Sequence, residues 1–281
     1  MNLFAAIRER WHPLHRARQW RWFQKLVDKW DPVVPARLSG FQKPVYARLF
    51  AHASFLLAEE GVRRTFASWM ESSEGRKGFW DVGANMGIFS FTYANSYPNS
   101  PLISFEPDCR NLECLRRTMS VWNSPSHRLV ASAVSDHRGK AAFKIDRLPE
   151  ATGTLIEDGR SFNEHNYAAE TRTELVDVVC LDDYYNPERP PSLVKIDVEG
   201  AEIDVLRGAA KLLTEATPVL LFESFGQSEE CRRPLAPGIY SLFDADRIAP
   251  ASAETTNFLA LNLNKASPEL ISRFREIGYP L

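Results

Sequence analysis

The segment FWDVGANMGIFS, residues 79–90, sets the architecture of the chain. It begins with a strand-like run that ends at Asp81–Val82, continues through two glycines and leads into a helix from about Met86. Gly83 permits a tight turn with close approach of the backbone, and Gly87 lets the helix pack on the strand. A strand, a glycine turn and a helix in this order predict the opening unit of an α/β fold.

Short apolar runs alternate with amphipathic stretches beyond this segment, which predicts a mostly parallel sheet with helices on both faces. The predicted strands are Phe79–Val82, Leu102–Phe105, Leu129–Val134, Leu193–Val198, Val219–Phe222, Ile239–Phe243 and Asn257–Leu263, and the predicted helices are Met86–Asn95, Cys109–Trp122 and Ala201–Leu213. The last two strands are expected at one edge of the sheet. Between residues 139 and 180 the alternation is lost, and Lys140–Ile145 and Leu175–Cys180 are predicted to pair antiparallel.

Residues 1–72 are predicted to form a helical extension ahead of an α/β domain over residues 73–281. The first 30 residues carry a net charge of +5, so the rest carries −7. A helix over residues 14–30 places aromatic side chains opposite basic ones, which is typical of a helix on an anionic membrane surface. Packing of its apolar face on the main domain is the alternative. A second helix, from about Pro44 to Trp69, is expected to cap the domain.

The composition narrows the classes of protein to which this chain can belong. With 44% hydrophobic and 25% charged residues among 281, it is not a mainly disordered chain. A net charge of −2 does not favour nucleic-acid binding, and no nucleic-acid partner is expected. The four cysteines lack paired CxxC spacing and predict neither a zinc knuckle nor a disulfide scaffold. No apolar run approaches the ~20 residues of a membrane span, and the sequence shows no secretory signal. We therefore expect a cytoplasmic protein. If residues 14–30 bind lipid, we expect peripheral contact with the inner face of the membrane.

Two carboxylates lie at the ends of the first two predicted strands. Glu106 ends the second strand at the ~20-residue spacing where a carboxylate accepts hydrogen bonds from ribose hydroxyls. Asp81, at the mouth of the turn, would oppose the pyrophosphate of a dinucleotide. S-adenosylmethionine has no phosphate, and its ammonium group suits Asp81 directly or through water. We therefore expect S-adenosylmethionine as the ligand, the alternative being that Asp81 only caps the turn.

The segment SLVKIDVEGAEIDVLRGA, residues 192–209, carries a second row of charges. Alternation places Lys195, Asp197 and Glu199 on one side of the strand and its exit. Ionised groups in a buried strand are costly unless they are paired or lie at the open carboxyl end, where ligands bind in α/β sheets. Glu202 falls in the first turn of the next helix, which favours a structural role.

Several segments together resemble the FkbM-type methyltransferase domain. They are DVGANMG, ISFEP, ASAVSDHRG, LDDYY, VKIDVEGAEIDVLRGA and VLLFE, in the order and spacing of that family, from about Phe79 to Glu223. The resemblance implies a Rossmann-like class I methyltransferase fold, S-adenosylmethionine as donor, and methylation of a hydroxyl on a sugar, glycan or natural product. The cofactor-binding residues that it implies are Asp81, Gly83, Asn85, Gly87, Glu106 and Ala133. Asn85 stands where the broader methyltransferase pattern has its middle glycine.

A hydroxyl is a poor nucleophile, so a base or a metal should help to remove its proton. Asp197 is the first choice for the base, because it closes a central strand opposite the turn; His165 and His137 are alternatives. A divalent metal between Asp197 and Glu223 is not favoured, because Glu-Ser stands where metal-dependent O-methyltransferases have Asp-Asn. We therefore expect no metal ligand.

Two other classes of function remain open at this point. One is a cofactor-binding but non-catalytic partner in a glycan or natural-product biosynthetic complex, which would keep Asp81 and Glu106 but lack a working base. The other is a nicotinamide oxidoreductase, which Asp81 and the absence of a Tyr-xxx-Lys arrangement disfavour. The acceptor should be a small molecule or a glycan.

Overall fold

The computed structural model describes residues 30–52, 60–146, 153–155, 171–224, 228–235 and 238–281. The strands are β1 Val33–Ala36, β2 Val45–Arg48, β3 Phe79–Val82, β4 Leu102–Phe105, β5 His127–Val130, β6 Ala133–Val134, β7 Gly139–Asp146, β8 Gly153–Leu155, β9 Thr171–Val179, β10 Leu193–Ile196, β11 Val219–Glu223, β12 Ser241–Asp244, β13 Ala249–Pro250 and β14 Asn257–Leu261. The α-helices are α1 Glu60–Met70, α2 Ile88–Ser96, α3 Cys109–Trp122, α4 Glu202–Arg207, α5 Ala210–Glu215, α6 Ser228–Arg232 and α7 Pro268–Glu276.

The main sheet, as far as the structure describes the chain, has eight strands in the order β13-β12-β14-β11-β10-β3-β4-β5. β3, β4, β5, β10 and β11 run parallel, whereas β14 and β12 are antiparallel to their neighbours. The strand order reverses between β3 and β10, which is where ligands bind in open α/β sheets. The predicted mostly parallel α/β sheet, with its last two strands towards one edge, is confirmed.

Helices cover both faces of this sheet. Alternate residues of β3 divide between two hydrophobic clusters, so that Phe79 packs with α1, α2, α3 and α7, and Trp80 packs with α4 and α5. Every residue of β3 is buried, as expected for a central strand of a parallel sheet. Asp81 therefore lies in a strand that is buried throughout.

A second sheet, β6-β9-β7-β8, lies apart from the main one, and the predicted antiparallel pairing of β7 with β9 is confirmed.

Two predicted elements are each divided into two in the structure. The run Leu129–Val134 is not one strand, because the chain bends at residues 131–132 and β6 leaves β5 to pair with β9. The helix predicted over Ala201–Leu213 breaks at Gly208, where a Cβ would lie 2.1 Å from Ser135 O, and restarts where Asp182 accepts the amides of residues 211 and 212.

The N-terminal part contains a β-hairpin where a helix was expected. The prediction of a helix from Pro44 is wrong over Val45–Arg48, since this segment forms β2 and pairs with β1. Its residues alternate between buried and partly buried, the pattern of a strand with one face on the core. The hairpin docks on α3, where Thr118 Oγ1 accepts the Tyr46 amide at 2.8 Å and Trp122 Nε1 donates to Pro44 O at 2.8 Å.

The division of the chain at residue 72 stays a prediction. Side chains from both predicted parts share one core, since the Phe66 and Trp69 rings lie 5.0 and 5.9 Å from the Phe79 ring. The helix predicted over residues 14–30 lies outside the described residues, apart from the exposed Trp30. Within the described part of the chain, no helix combines the length and apolar character needed to cross a membrane.

Candidate functional site

Backbone hydrogen bonds hold the glycine turn after β3 against the end of β4. Gly83 adopts φ +76°, and a Cβ there would lie only 1.8 Å from the carbonyl oxygen of Asp197. The amides of Gly83 and Ala84 both donate to Phe105 O at 3.0 Å, and the Gly87 amide donates to Ala84 O at 2.8 Å. These amides therefore hold the turn in place and are engaged within the protein. Only glycine fits at position 83, because β10 leaves the sheet directly against it.

Gly87 makes its closest approach to a different element from the one predicted. With φ +90°, a Cβ at this position would lie 2.6 Å from Leu115 Cδ2 and 2.7 Å from the ring of Phe91. Leu115 belongs to α3, so the absence of a side chain at Gly87 brings α2 against its neighbouring helix rather than against the strand.

Glu106 reaches back from the end of β4 to the glycine turn. Its Oε2 accepts the amide of Asn85 at 2.7 Å, and its Oε1 accepts the amide of Asp108 at 2.8 Å. Asn85 has φ +53°, in the left-handed region that a non-glycine residue rarely adopts. Glu106 is 4% exposed, and burial, followed by the charge of Asp108, raises its pKa to about 8. The acid is thus held against the turn but is poorly solvated.

Asp81 is buried at the opposite side of the same turn. Its Oδ2 accepts both the amide and the hydroxyl of Ser90, at 3.0 and 2.5 Å, so it caps the first turn of α2. Its Oδ1 has no hydrogen-bond partner among the residues that the structure describes. Burial raises the pKa of Asp81, against the opposing effect of Lys195. Asp81 therefore caps α2 through Oδ2, as one of the two interpretations expected. The cap does not use its second carboxylate oxygen, Oδ1.

A buried polar row continues from Asp81 across the sheet. Ser90 Oγ lies 2.7 Å from Ser104 Oγ in β4, and Ser104 Oγ lies 2.7 Å from Nε2 of His127 in β5. Because Ser90 donates its hydroxyl hydrogen to Asp81, Ser104 donates to Ser90, and His127 donates from Nε2. Burial lowers the pKa of His127 to about 4, so the ring is neutral near pH 7. All of these donations point towards Asp81.

Charged side chains converge where β10 and β11 end. Lys195 Nζ lies 2.8 Å from Asp197 Oδ2, with side-chain exposures of 7% and 22%. Carboxylate oxygens of Asp197, Glu199 and Glu223 all lie within 4.8 Å of one another, an arrangement that a metal ion could join. Glu199 has φ +56°, a strained conformation of the kind found at functional sites. The sequence pattern correctly placed this row at the carboxyl end of the sheet.

The remaining predicted residues lie in different surroundings. Ala133 belongs to β6, where it pairs with Val178 of the second sheet. His137 is exposed and contacts Asp136 at 3.0 Å, and His165 lies outside the described residues. Glu202 is buried and accepts the Gly200 amide at 3.0 Å, which is a structural role.

The sequence interpretation missed the residues behind the two acids. They are Ser90, Ser104 and His127 for Asp81, and Asp108, whose backbone amide donates to Glu106. One signal for them was available, because Ser104 is a polar residue inside an otherwise apolar strand and had to find a hydrogen-bond partner.

Comparisons with known proteins bear on this site. Residues 81–273 match the sequence model of the family described as Methyltransferase FkbM domain. The chain is 31% identical over 147 residues to Methyltransferase 1 of Beauveria bassiana (strain ARSEF 2860), covering 46% of this chain and 56% of that protein. It is 27% identical over 143 residues to the 2-O-methyltransferase NoeI of Sinorhizobium fredii (strain NBRC 101917 / NGR234), covering 48% of this chain and 58% of that protein. The solved structure of Methyltransferase FkbM from Methylobacillus flagellatus KT is 16% identical with a TM-score of 0.44, covering 76% of this chain and 48% of that one.

The chain spans a little over half the length of these curated relatives. The family match itself is more extensive, since it covers more than half of this chain. It begins at Asp81 and takes in the glycine turn, Glu106 and the strand that leads to Asp197. The resemblance seen in the sequence is thereby confirmed: this chain belongs to the methyltransferase FkbM family.

Proposed function

We propose that this protein is an S-adenosylmethionine-dependent methyltransferase that methylates a hydroxyl group of a sugar, glycan or related metabolite. The observation that carries the proposal is the hydrogen bond between Glu106 and the Asn85 amide. It sets a buried carboxylate against the glycine turn at the point where the strand order reverses, which is where a nucleoside binds in folds of this kind.

The turn suits a ligand without phosphate groups. A dinucleotide site offers turn amides to a pyrophosphate, but the amides of Gly83, Ala84, Asn85 and Gly87 are already engaged within the protein. The two acids suit the polar groups of S-adenosylmethionine. Glu106 can accept from ribose hydroxyls, and Asp81 Oδ1, which has no hydrogen-bond partner within the described ranges, can accept from the ammonium group, directly or through water. These features favour S-adenosylmethionine over a nicotinamide dinucleotide.

The chemistry then rests on alignment and on removal of one proton. S-adenosylmethionine, when bound, supplies a methyl group already activated on a sulfonium. The chain's task is to orient the acceptor oxygen, and positioning of this kind is worth ~7–11 kcal/mol of a barrier. Asp197, partly exposed at the end of β10, is the proposed acceptor of the hydroxyl proton. Lys195 donates to Asp197 Oδ2 and holds that carboxylate in place.

The proposal includes both the atom that receives the methyl group, an oxygen, and the class of molecule that carries this atom. Support for oxygen as the acceptor atom comes from NoeI, which is named a 2-O-methyltransferase and is 27% identical over the matched segment. A sugar or related polyol also suits a site rich in carboxylates, because carboxylates accept hydrogen bonds from hydroxyl groups.

We propose that the reaction needs no divalent metal. The ammonium group of Lys195 already supplies a positive charge to Asp197 in the acidic cluster. Turnover should therefore survive treatment with EDTA and should not rise when Mg²⁺ or Mn²⁺ is added back. Loss of activity on chelation, with recovery on adding Mg²⁺, would assign the cluster of Asp197, Glu199 and Glu223 to a metal instead.

Two measurements test the function. Calorimetry with S-adenosylmethionine and with NAD should show binding of the first only; binding of NAD alone would reject the proposal. Transfer of a labelled methyl group to a panel of neutral saccharides and polyketide-type alcohols should give a product that is lost in Asp197→Asn. Donor binding without methyl transfer to any member of the panel would favour the alternative function, a cofactor-binding but non-catalytic partner protein.

A further inference from the structure

The polar row formed by Ser90, Ser104 and His127 connects Asp81 with three further elements of the fold. Asp81 Oδ2 accepts the amide of Ser90 at 3.0 Å and its hydroxyl at 2.5 Å, at the start of α2. Ser90 Oγ lies 2.7 Å from Ser104 Oγ in β4, and Ser104 Oγ lies 2.7 Å from His127 Nε2 in β5. Each step is a direct contact between side chains, so a change at His127 can reach Asp81 through two hydroxyl groups.

The polar row lies where apolar side chains would be the ordinary choice. Ser90 and Ser104 are fully buried, and His127 is 7% exposed. Burial of a polar group costs free energy unless it is hydrogen-bonded. The sheet does not need the Ser104 hydroxyl, because the backbone of β4 already pairs with β3 and β5. The contacts of the polar row therefore serve the carboxylate at its end more than they serve the sheet.

The hydrogen bonds of the polar row can run in one direction only. A serine hydroxyl has one hydrogen, and that of Ser90 goes to Asp81, so Ser104 donates to Ser90 and His127 donates from Nε2. The opposite tautomer of His127 would place a hydrogen on Nδ1, which has no hydrogen-bond partner among the described residues. A buried N–H without an acceptor is rare and costly. The polar row thus presents a hydroxyl donor, and not an acceptor, to Asp81.

This donor engages one of the two oxygens of Asp81. Oδ2 receives two hydrogen bonds from Ser90, whereas Oδ1 is buried and has no hydrogen-bond partner within the described part of the chain. Rotation of the carboxylate would exchange the two oxygens and break both bonds. The polar row opposes this exchange, because it keeps the Ser90 hydroxyl hydrogen directed at Asp81. The oxygen without a partner is therefore the same one at all times.

We propose that Ser90, Ser104 and His127 are positioning residues for Asp81, which hold Oδ2 against α2 and keep Oδ1 for the ammonium group of the donor. The inference rests on the proposed function, because it takes Asp81 as the group that accepts from this ammonium, directly or through water. It extends the donor site from the end of β3 to the far side of β4 and to β5.

The test compares two ligands in the same protein. S-adenosylhomocysteine and its deamino analogue, in which a hydrogen replaces the ammonium group, differ only in the group that Asp81 would accept. The wild-type chain should bind S-adenosylhomocysteine about 10–100-fold more tightly, the range for a hydrogen bond between charged groups. Asp81→Asn, which removes the charge, should reduce this ratio to a few fold. Calorimetry with each compound gives the ratio.

The variants of the polar row should lower the same ratio in a graded way. Ser90→Ala should bring it close to the value of Asp81→Asn, because the direct hydroxyl donor is lost. Ser104→Ala and His127→Phe should lower it less, in that order, since each lies one hydrogen bond further from Asp81. His127→Gln keeps an N–H donor towards Ser104 and should retain more of the ratio than His127→Phe.

The matched control is Thr65→Val, which removes a buried hydroxyl elsewhere. Thr65 Oγ1 lies 2.7 Å from Tyr279 Oη, and both residues are buried. This variant should have a lower melting temperature, as the variants of the polar row should, while its ligand ratio stays at the wild-type value. The ratio separates positioning from loss of stability, because a loosened fold weakens the binding of both ligands alike.

The outcomes separate this inference from the proposed function. If Ser90→Ala and Ser104→Ala keep the wild-type ratio while Asp81→Asn loses it, the polar row is structural and the inference is overturned, although the donor site stands. If the wild-type chain binds both compounds equally, Asp81 does not bind the ammonium group, and the inference fails while the methyltransferase proposal survives. If the chain binds neither compound, the proposed function fails and the inference falls with it.

Discussion

Lys195 Nζ lies 2.8 Å from Asp197 Oδ2, so a lysine pairs with the carboxylate two residues further along as β10 leaves the sheet. The same ammonium group lies 4.8 Å from the centre of the Phe89 ring in the first turn of α2. Lys195 is also opposite Asp81 in the register of β10 with β3. One buried cation therefore connects the proposed base to the elements that form the donor turn.

This arrangement predicts separate effects on turnover and on donor binding. Asp197→Asn should lower kcat by about 10²–10⁴-fold, the usual contribution of a general base, because the amide cannot take up the proton. Donor affinity should stay within a few fold, since Asp197 is not assigned to the donor. Lys195→Met should lower kcat less, because it removes only the group that orients the base. Labelled-methyl transfer and calorimetry measure the two quantities, and wild-type turnover in Asp197→Asn would remove this residue from the mechanism.

Donor binding should release a proton at pH 7. Burial, followed by the charge of Asp108, raises the pKa of Glu106 to about 8, so the carboxyl group is mostly protonated at pH 7 without ligand. Ribose hydroxyls donate to the carboxylate form, so binding should release about one proton, and affinity should rise with pH up to about 8. Calorimetry in buffers of different ionisation enthalpy measures this release.

Glu106→Gln provides the matched control for proton release. The amide cannot ionise, so the binding enthalpy of this variant should not depend on the buffer, and its affinity should be weaker by roughly 1–3 kcal/mol. A wild-type binding enthalpy that is the same in every buffer at pH 7 would contradict the assignment of Glu106 to the ribose.

Acid stability should depend on the histidine at the end of the polar row. Burial lowers the pKa of His127 to about 4, below the unfolded value near 6.5. Between these values the unfolded chain binds a proton that the folded chain does not, so stability falls as pH drops from 6.5 to 4, by at most about 1.4 kcal/mol per pH unit for each such histidine. His52 shows a lowered pKa of the same kind, so two residues contribute.

His127→Phe should therefore flatten this pH dependence without abolishing it. The variant should be less stable than the wild type at pH 7, because Ser104 loses its buried partner, yet its stability should fall less steeply towards pH 5. Urea unfolding at pH 7, 6 and 5 gives both quantities. Equal slopes in the two proteins would show that His127 does not titrate as described.

Two glycines with similar backbone angles should respond differently to alanine. Gly40 has φ +82° with nothing within 4 Å of an added Cβ, whereas Gly83 has φ +76° with Asp197 O at 1.8 Å. Gly40→Ala should cost about 1–2 kcal/mol from the left-handed conformation alone. Gly83→Ala should cost about 1–3 kcal/mol more, because the turn must separate from β10. Chemical unfolding measures both, and similar losses would show that the close approach at Gly83 relaxes easily.

The local patterns of the sequence predicted much of the fold and the two acids. The glycine turn, the α3 boundaries and the alternation of strands with helices follow from periodicity within short windows, where backbone geometry constrains neighbouring residues. The predicted helix from about Pro44 to Trp69 fails over Val45–Arg48, which is a strand. Pairing with β1 decides this, since the hairpin satisfies the backbone of the segment and buries Val45.

The residues that hold the two acids in place could not be predicted from local sequence patterns. The Asn85 amide meets Glu106 across 21 positions of sequence, and Ser104 meets His127 across 23. Strand and helix patterns state which face of an element is apolar, but they do not say which polar groups of distant elements come within 3 Å of each other. That depends on the path of the whole chain, because a buried hydrogen bond forms only where packing brings a donor and an acceptor together and excludes water. Spacing alone therefore named Asp81, Glu106 and Asp197, whereas the folded chain determined what holds each of them.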